Sequence, residues 1–216
     1  MDVRTVPSWQ CVILTGPPLA PLSLSDYCRE RRLICTAHGV PFALEQGCVP
    51  EAVVGEVGML ASSLRERLHQ SRARVLTPAA PHSEEALELA LNYAITTGAR
   101  DILLLGLIRD TLAESLSHLL LLARAEWGAA RLTFVHGDET GYLLRHGEAA
   151  AISGHVGDEV LLLALSPSAT EITTQGTAPR LRGATLELGR AGHLTMTEPV
   201  AHVWLGAGRL LVLHRA

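Results

Sequence analysis

Short apolar runs alternate with helix-length amphipathic segments through the first two thirds of the chain, and that alternation predicts a parallel β-sheet with helices packed on it. Residues 11–15 (CVILT) form an apolar run that ends in Gly16-Pro17-Pro18, a buried strand leaving into a loop. Residues 33–37 (LICTA) and 52–57 (AVVGEV) read as further strands, residues 75–78 as a brief one, and 41–47 leave room only for a short helix. Ser83 stands where a helix N-cap belongs, with Glu84 and Glu85 in the electropositive first turn and Leu87, Leu91, Ala94 and Ile95 at helical spacing before Gly98 stops the helix. Residues 101–107 are the most apolar strand, 111–127 a long helix closed by Gly128, and 131–136 (RLTFVH) a final strand.

From about residue 141 the pattern changes to short alternating runs separated by glycine, at 148–152, 160–165, 184–188, 200–205 and 209–213. These predict a small antiparallel β domain, with Gly206-Ala207-Gly208 as a hairpin turn between its last two strands. The expected organisation is an α/β domain over residues 1–138 and a β domain over 142–216, joined at 137–141.

Charge and composition remove several functions. A formal net charge of −4 gives no basic footprint for nucleic acid. No apolar run reaches the roughly 18 residues of a membrane span, and the start MDVRTVPSWQ has no secretory pattern, so the expected location is cytoplasmic. Every basic residue is arginine, and the absence of lysine excludes a Walker-type phosphate loop, Schiff-base chemistry and a Ser-x-x-Lys hydrolase. Cys11, Cys28, Cys35 and Cys48 form no C-x-x-C pair and read as buried thiols rather than zinc ligands.

LICTAHGV at 33–40, VVGEVGML at 53–60, PHSEEALELAL at 81–91, LLLGLIRDTLAESLSHL at 103–119, VLLLALSPSATEITTQG at 160–176 and GRLLVLH at 208–214 fall in the order and spacing of one family's motifs. Over roughly residues 10–214 the chain resembles the thiamine pyrophosphokinases. The resemblance implies a Rossmann-like α/β domain followed by a thiamine-binding-type β-sandwich, a homodimer, and ATP- and magnesium-dependent diphosphate transfer to thiamine. It also places Gly39, Gly55, Gly106 and Arg109 in cofactor binding. The framework glycines agree, but the chemistry departs from the pattern. The family's first aspartate is Ala37 here, its Asp-x-Asp pair is Glu56 and Gly58, and its helix-start aspartate is His82. Its Arg-x-Asp-His-x-x-x-Asn set reads Thr111, Ala113, Glu114 and His118, and its Ser-Asn is Met196-Thr197.

Magnesium needs an oxygen shell, and phosphoryl transfer depends on positioned charge, so these losses together predict a diverged or inactive protein with a retained cleft for a thiamine-like or nucleotide-like ligand. Two alternatives stay open. Glu56, Glu84, Asp110 and Glu114 are substitute magnesium ligands for an active diphosphokinase in one. In the other, His38, Glu56, His82, Glu84 and Asp110 hold a transition metal, because imidazole with carboxylate suits zinc or iron. Glu56, His82, Glu114 and His118 are the candidate acid-base residues, and Glu114 and His118 share a helix face at i, i+4.

Overall fold

Cys11–Leu14 (β1) is fully buried on both faces, as a central strand of a parallel sheet must be, and its flanking hydrogen bonds run to parallel neighbours on either side. The structure, a computed structural model, describes residues 10–78, 85–128 and 130–216. By internal contacts the described chain forms two compact units. One runs to Leu121 and takes in residues 130–132, and the other comprises Leu122–Gly128 and Thr133–Ala216.

In the first unit Arg32–Thr36 (β2), Ala52–Val54 (β3), Arg74–Leu76 (β4) and Asp101–Leu105 (β5) join β1 in the order β4-β3-β2-β1-β5, all parallel. The helices are Leu24–Cys28 (α1), Val40–Glu45 (α2), Ser62–Gln70 (α3), Ala86–Thr96 (α4) and Leu112–Leu122 (α5). Helix α4 buries Leu87, Ala90, Leu91 and Ala94, the stripe its periodicity predicts, and Gly98 follows its end at φ +100°. The strand expected at 52–57 stops at Val54, because Gly55 turns the chain at φ +104° and Val57–Met59 then forms a 3-10 turn. The helix expected over 111–127 ends at Leu122 and is followed by a 3-10 turn at Ala125–Trp127. Ser83, the expected cap of α4, lies outside the described residues, and Glu85 occupies the N-cap position.

The second unit is antiparallel. Arg131–His136 (β6) lies beside Glu139–Arg145 (β7), and Ala149–Ser153 (β8), Glu159–Ala164 (β9), Ser168–Gln175 (β10), Thr177–Ala178 (β11), Ala184–Glu187 (β12), Ala191–Met196 (β13), Val200–Trp204 (β14) and Arg209–Arg215 (β15) follow. One sheet contains β11-β13-β9-β15-β7 in that order, and the other is β12-β10-β14-β8. Alternate residues of both, among them Ile152, Leu162, Ile172, Met196, Val203 and Val212, meet in one core, which makes the unit a β-sandwich. The segment 137–141, expected as the junction, holds the turn between β6 and β7, with Gly137 at φ +61° and β7 beginning at Glu139.

The glycines at 206 and 208 do not make a hairpin. β14 pairs with β10 and β8, whereas β15 pairs with β7 and β9, so the segment crosses from one sheet to the other. Ala207 bridges to Thr170, a Cβ at Gly206 would run into the Glu171 side chain, and Gly208 sits at φ +97°. Glycine serves a tight crossing here, and turn composition alone does not distinguish that from a hairpin.

Within the sandwich the turn before β9 is held by Asp158. Its Oδ2 accepts the His155 backbone N–H at 2.8 Å and lies 2.8 Å from Nε2 of His214, and a Cβ on Gly154 would collide with both side chains. These donors, the His155 amide first and His214 second, hold the Asp158 carboxyl below its usual range. A depressed folded-state value means that its contribution is complete above the unfolded carboxyl range, about 3.9, and is lost as pH falls through the folded value. The stability difference between wild type and Asp158→Asn, followed by chemical denaturation, should therefore shrink steadily as pH is lowered from about 5 to about 2.

All four cysteines are free thiols. Burial pushes Cys11 up to about 12 and raises Cys35 further, so neither presents thiolate at neutral pH. Titration with an aromatic disulfide reagent at pH 7.5 should leave Cys11 and Cys35 unmodified in the native protein and release both on unfolding.

Candidate functional site

In a parallel sheet the loops leaving the strand C-termini share one rim, and ligands of open α/β sheets bind there. The chain builds this rim with hydroxyls and glycines. Thr15 Oγ1 donates to the Gly106 carbonyl at 2.5 Å, and Thr36 Oγ1 donates to the Thr15 carbonyl at 2.6 Å, so the ends of β5, β1 and β2 are tied in register. Gly106 takes φ +68° with its α-carbon against the Gly16 carbonyl, where any side chain would overlap. Gly39 is packed as closely on the Leu14 carbonyl.

Beyond β2 and β3 lies a cavity of about 520 Å³ lined by Ala37, His38, Val54, Gly55, Glu56, Met59, Pro78, Glu85 and Ala86. Gly55 forms part of its floor, facing the Cβ atoms of Ala86 and Ala37. His38, Glu56 and Glu85 are its exposed ionisable lining, while Ala37 is buried. The volume is that of a small-molecule pocket, about 300–1,000 Å³. Of the residues expected from sequence, His38, Gly55 and Glu56 come together here. His82 and Glu84 lie outside the described residues. Glu85, read only as a first-turn charge, is the added member, and its Oε1 accepts the Ser117 hydroxyl at 2.9 Å, linking the start of α4 to α5.

Arg109, Asp110, Glu114 and His118 belong to a second group on the loop after β5. Arg109 lies over Gly16, whose missing side chain leaves room for the guanidinium. Asp110 is exposed. Thr111 and Glu114 close on each other: Thr111 Oγ1 accepts the Glu114 N–H at 3.2 Å and donates to Glu114 Oε2 at 3.0 Å. That is capping chemistry at the start of α5, and T-x-x-E is its sequence signal. His118 Nδ1 is 2.9 Å from the Leu107 carbonyl. A carbonyl can only accept, so Nδ1 is the donor of this bond. Ser115 Oγ completes the loop, accepting the Arg109 N–H at 2.9 Å and donating to the Thr111 carbonyl at 2.9 Å.

Among the described residues no three His, Cys, Asp or Glu side chains form a group able to hold a metal ion. The described donors of the cavity, one imidazole and two carboxylates with an alanine methyl at the end of β2, do not fit an octahedral oxygen shell for magnesium. In the sandwich, Trp204 stacks on His202 with ring centroids 5.4 Å apart.

No protein-family model matches the chain, and no curated protein matches it in sequence. Solved structures do match. Thiamine pyrophosphokinase from Bacillus subtilis superposes with a TM-score of 0.82 at 18% identity, covering 95% of this chain and 98% of that one. The fold is that of the thiamine pyrophosphokinases. The enzyme from Geobacillus thermodenitrificans gives a TM-score of 0.80 at 17% identity over 95% of this chain and 96% of its own. Yeast thiamin pyrophosphokinase gives 0.72 at 9% identity over 97% and 87%. The expected architecture, parallel-sheet α/β followed by β-sandwich, is therefore present in full, on a sequence far diverged from these structures.

Because Thr111 caps α5, Thr111→Ala should destabilise the protein by about 1 kcal/mol while Thr111→Ser stays close to wild type. Thermal melts of the two variants read the difference as a fall of about 2–4 °C confined to the alanine form.

Proposed function

We propose that this chain is a diverged binding protein on the thiamine pyrophosphokinase fold, one that keeps a small-molecule cleft and has lost ATP-dependent diphosphate transfer. The observation that carries the reading is the cleft lining. Where the resemblance implies a magnesium carboxylate at the end of β2, the wall is the methyl group of Ala37. Where it implies the arginine for the transferred phosphates, the chain has Thr111, engaged in capping with Glu114. Phosphoryl transfer is catalysed almost wholly by positioned charge, and a transfer-type arginine alone is worth about 10³ to 10⁵ in rate. Glu114, enlisted by the alternative of substitute magnesium ligands, is held by the same cap.

Glu56 and Glu85 in the lining favour a thiamine-like cation over a nucleotide triphosphate, since polyphosphates are bound by cations. The bound form is proposed to be a cytoplasmic homodimer. No described helix is long and apolar enough to cross a membrane. The support for a second copy is α5, where Leu112, Leu116 and Leu120, spaced i, i+4, i+8 along one face, are 75%, 48% and 63% exposed.

A thermal-shift series with thiamine, thiamine diphosphate and ATP, each with and without magnesium, beside a product assay for thiamine diphosphate, tests the proposal. A ligand at a hundred times its Kd stabilises by about 2.7 kcal/mol, or about 5–10 °C for a chain of this size. The expected result is such a shift with a thiamine compound, independent of magnesium, and no product. Magnesium-dependent conversion of thiamine to its diphosphate would establish the diphosphokinase instead. Stoichiometric zinc or iron in the purified protein would establish the metal enzyme.

A further inference from the structure

Three helices of the first unit end in the same hydrogen-bond pattern, and one of them breaks the residue rule that goes with it. After α2, Gly47 (φ +72°) donates to Leu44 and Cys48 to Ala43. After α4, Gly98 (φ +100°) donates to Ile95 and Ala99 to Ala94. After α3, Arg72 donates to the His69 carbonyl and Ala73 to the Leu68 carbonyl, and Arg72 holds φ +58°. The left-handed position is glycine's because a Cβ there is unfavourable. Glu30 and Glu171 also hold positive φ, but at this helix end, where two sister helices use glycine, an arginine costs stability.

The side chain lines a groove. Arg65, His69 and Arg72 surround a cavity of about 640 Å³ whose remaining described lining is Val57, Leu68, Gln70, Ala73 and Val75. No carboxylate appears in that lining, and among the described residues neither Arg65 nor Arg72 forms an ion pair. Residues 65–74 hold four arginines against one glutamate, and that glutamate, Glu66, already accepts from Gln70 at 2.9 Å. Favourable contact with the helix macrodipole accounts for a cation in the last turn of α3, but Arg65 sits in its first half, where the dipole opposes a cation. The apolar part of the groove includes Val75 on β4, 47% exposed at the end of the parallel sheet. A volume of this size, cations on the rim and aliphatic side chains beneath describe a small-molecule site.

We infer that the α3–β4 groove is a binding site for an organic anion, a phosphate- or carboxylate-bearing small molecule with an apolar body, separate from the His38–Glu56 cavity. Guanidinium pairs take phosphate and carboxylate by charge-assisted, often bidentate hydrogen bonds, and Arg65 and Arg72 supply two such groups. Leu68, Ala73 and Val75 take the apolar body.

Isothermal titration with phenyl phosphate at low ionic strength tests this, with inorganic phosphate as the comparison. The wild type should bind phenyl phosphate more tightly than phosphate and lose affinity as sodium chloride is added. Arg72→Gly puts the preferred residue into the turn, so its Tm should equal or exceed wild type while its phenyl phosphate affinity falls about tenfold. Arg65→Gln should weaken binding to a similar degree, and Glu56→Gln, in the other cavity, should leave it unchanged. Absence of any binding heat with the wild type, an unchanged affinity in Arg72→Gly, or a loss in Glu56→Gln equal to that in the arginine variants would overturn the assignment.

Discussion

The hydroxyl of Thr15 decides how the first unit ends its strands. Buried at the end of β1, it donates to the Gly106 carbonyl, while the Thr15 N–H donates to Leu105 and the Thr15 carbonyl accepts from Thr36. Strand termini leave backbone groups that burial makes expensive, because an unpaired buried donor or acceptor costs more than the net worth of the bond it lacks. Two threonine side chains satisfy these groups across three strands. The chain can therefore leave β1, β2 and β5 at one level, and the loops carrying His38 and Arg109 start from a fixed rim. Two glycines follow from the same closure, since Gly39 and Gly106 stand where backbone atoms of Leu14 and Gly16 leave no space for a Cβ.

That rim divides the residues that the family pattern groups together. On the β2–β3 side, Ala37, His38, Gly55 and Glu56 open into a cavity that α4 completes through Glu85 and Ala86. On the β5 side the described hydrogen bonds are local: Thr111 with Glu114, Ser115 with the Arg109 and Thr111 backbone, and His118 with the Leu107 carbonyl. Ser117 to Glu85 is the described hydrogen bond between the two sides.

How much of this was readable in the sequence depended on burial. β1, β5 and α4 could be read because their residues are buried on both faces or along one helical stripe, which is the signal hydrophobic periodicity detects. Helix α3 was missed for the same reason in reverse: Ser62–Gln70 buries only Leu68, and its apolar residues are a single i, i+4 pair, Leu64 and Leu68, too few to mark a stripe. In the sandwich, Ser168–Gln175 is rich in threonine and Ala191–Met196 begins Ala-Gly-His, so neither β10 nor β13 shows a run of large apolar residues. The sheet crossing at 206–208 was misread because glycine marks close approach and hairpin turns alike. At the site, His38 and Glu56 followed from motif position, whereas Glu85 depended on where α4 begins. The Thr111–Glu114 cap was written in the sequence as T-x-x-E and was obscured by the family pattern laid over it.

Net charge conceals the remaining feature. A chain at −4 has no overall field to attract anions, yet Glu56 and Met59, at either end of the 3-10 turn, line one cavity and Val57 between them lines the other. Glu56 and Glu85 make the first cavity acidic, and Arg65 and Arg72 make the second basic. At physiological salt an exposed charge is screened beyond about 8 Å, so each cavity presents its own sign to a ligand whatever the total. Summed composition averages the two to nearly nothing. Because β3 stops at Val54 and Gly55 turns the chain, one short stretch of chain supplies lining to both cavities.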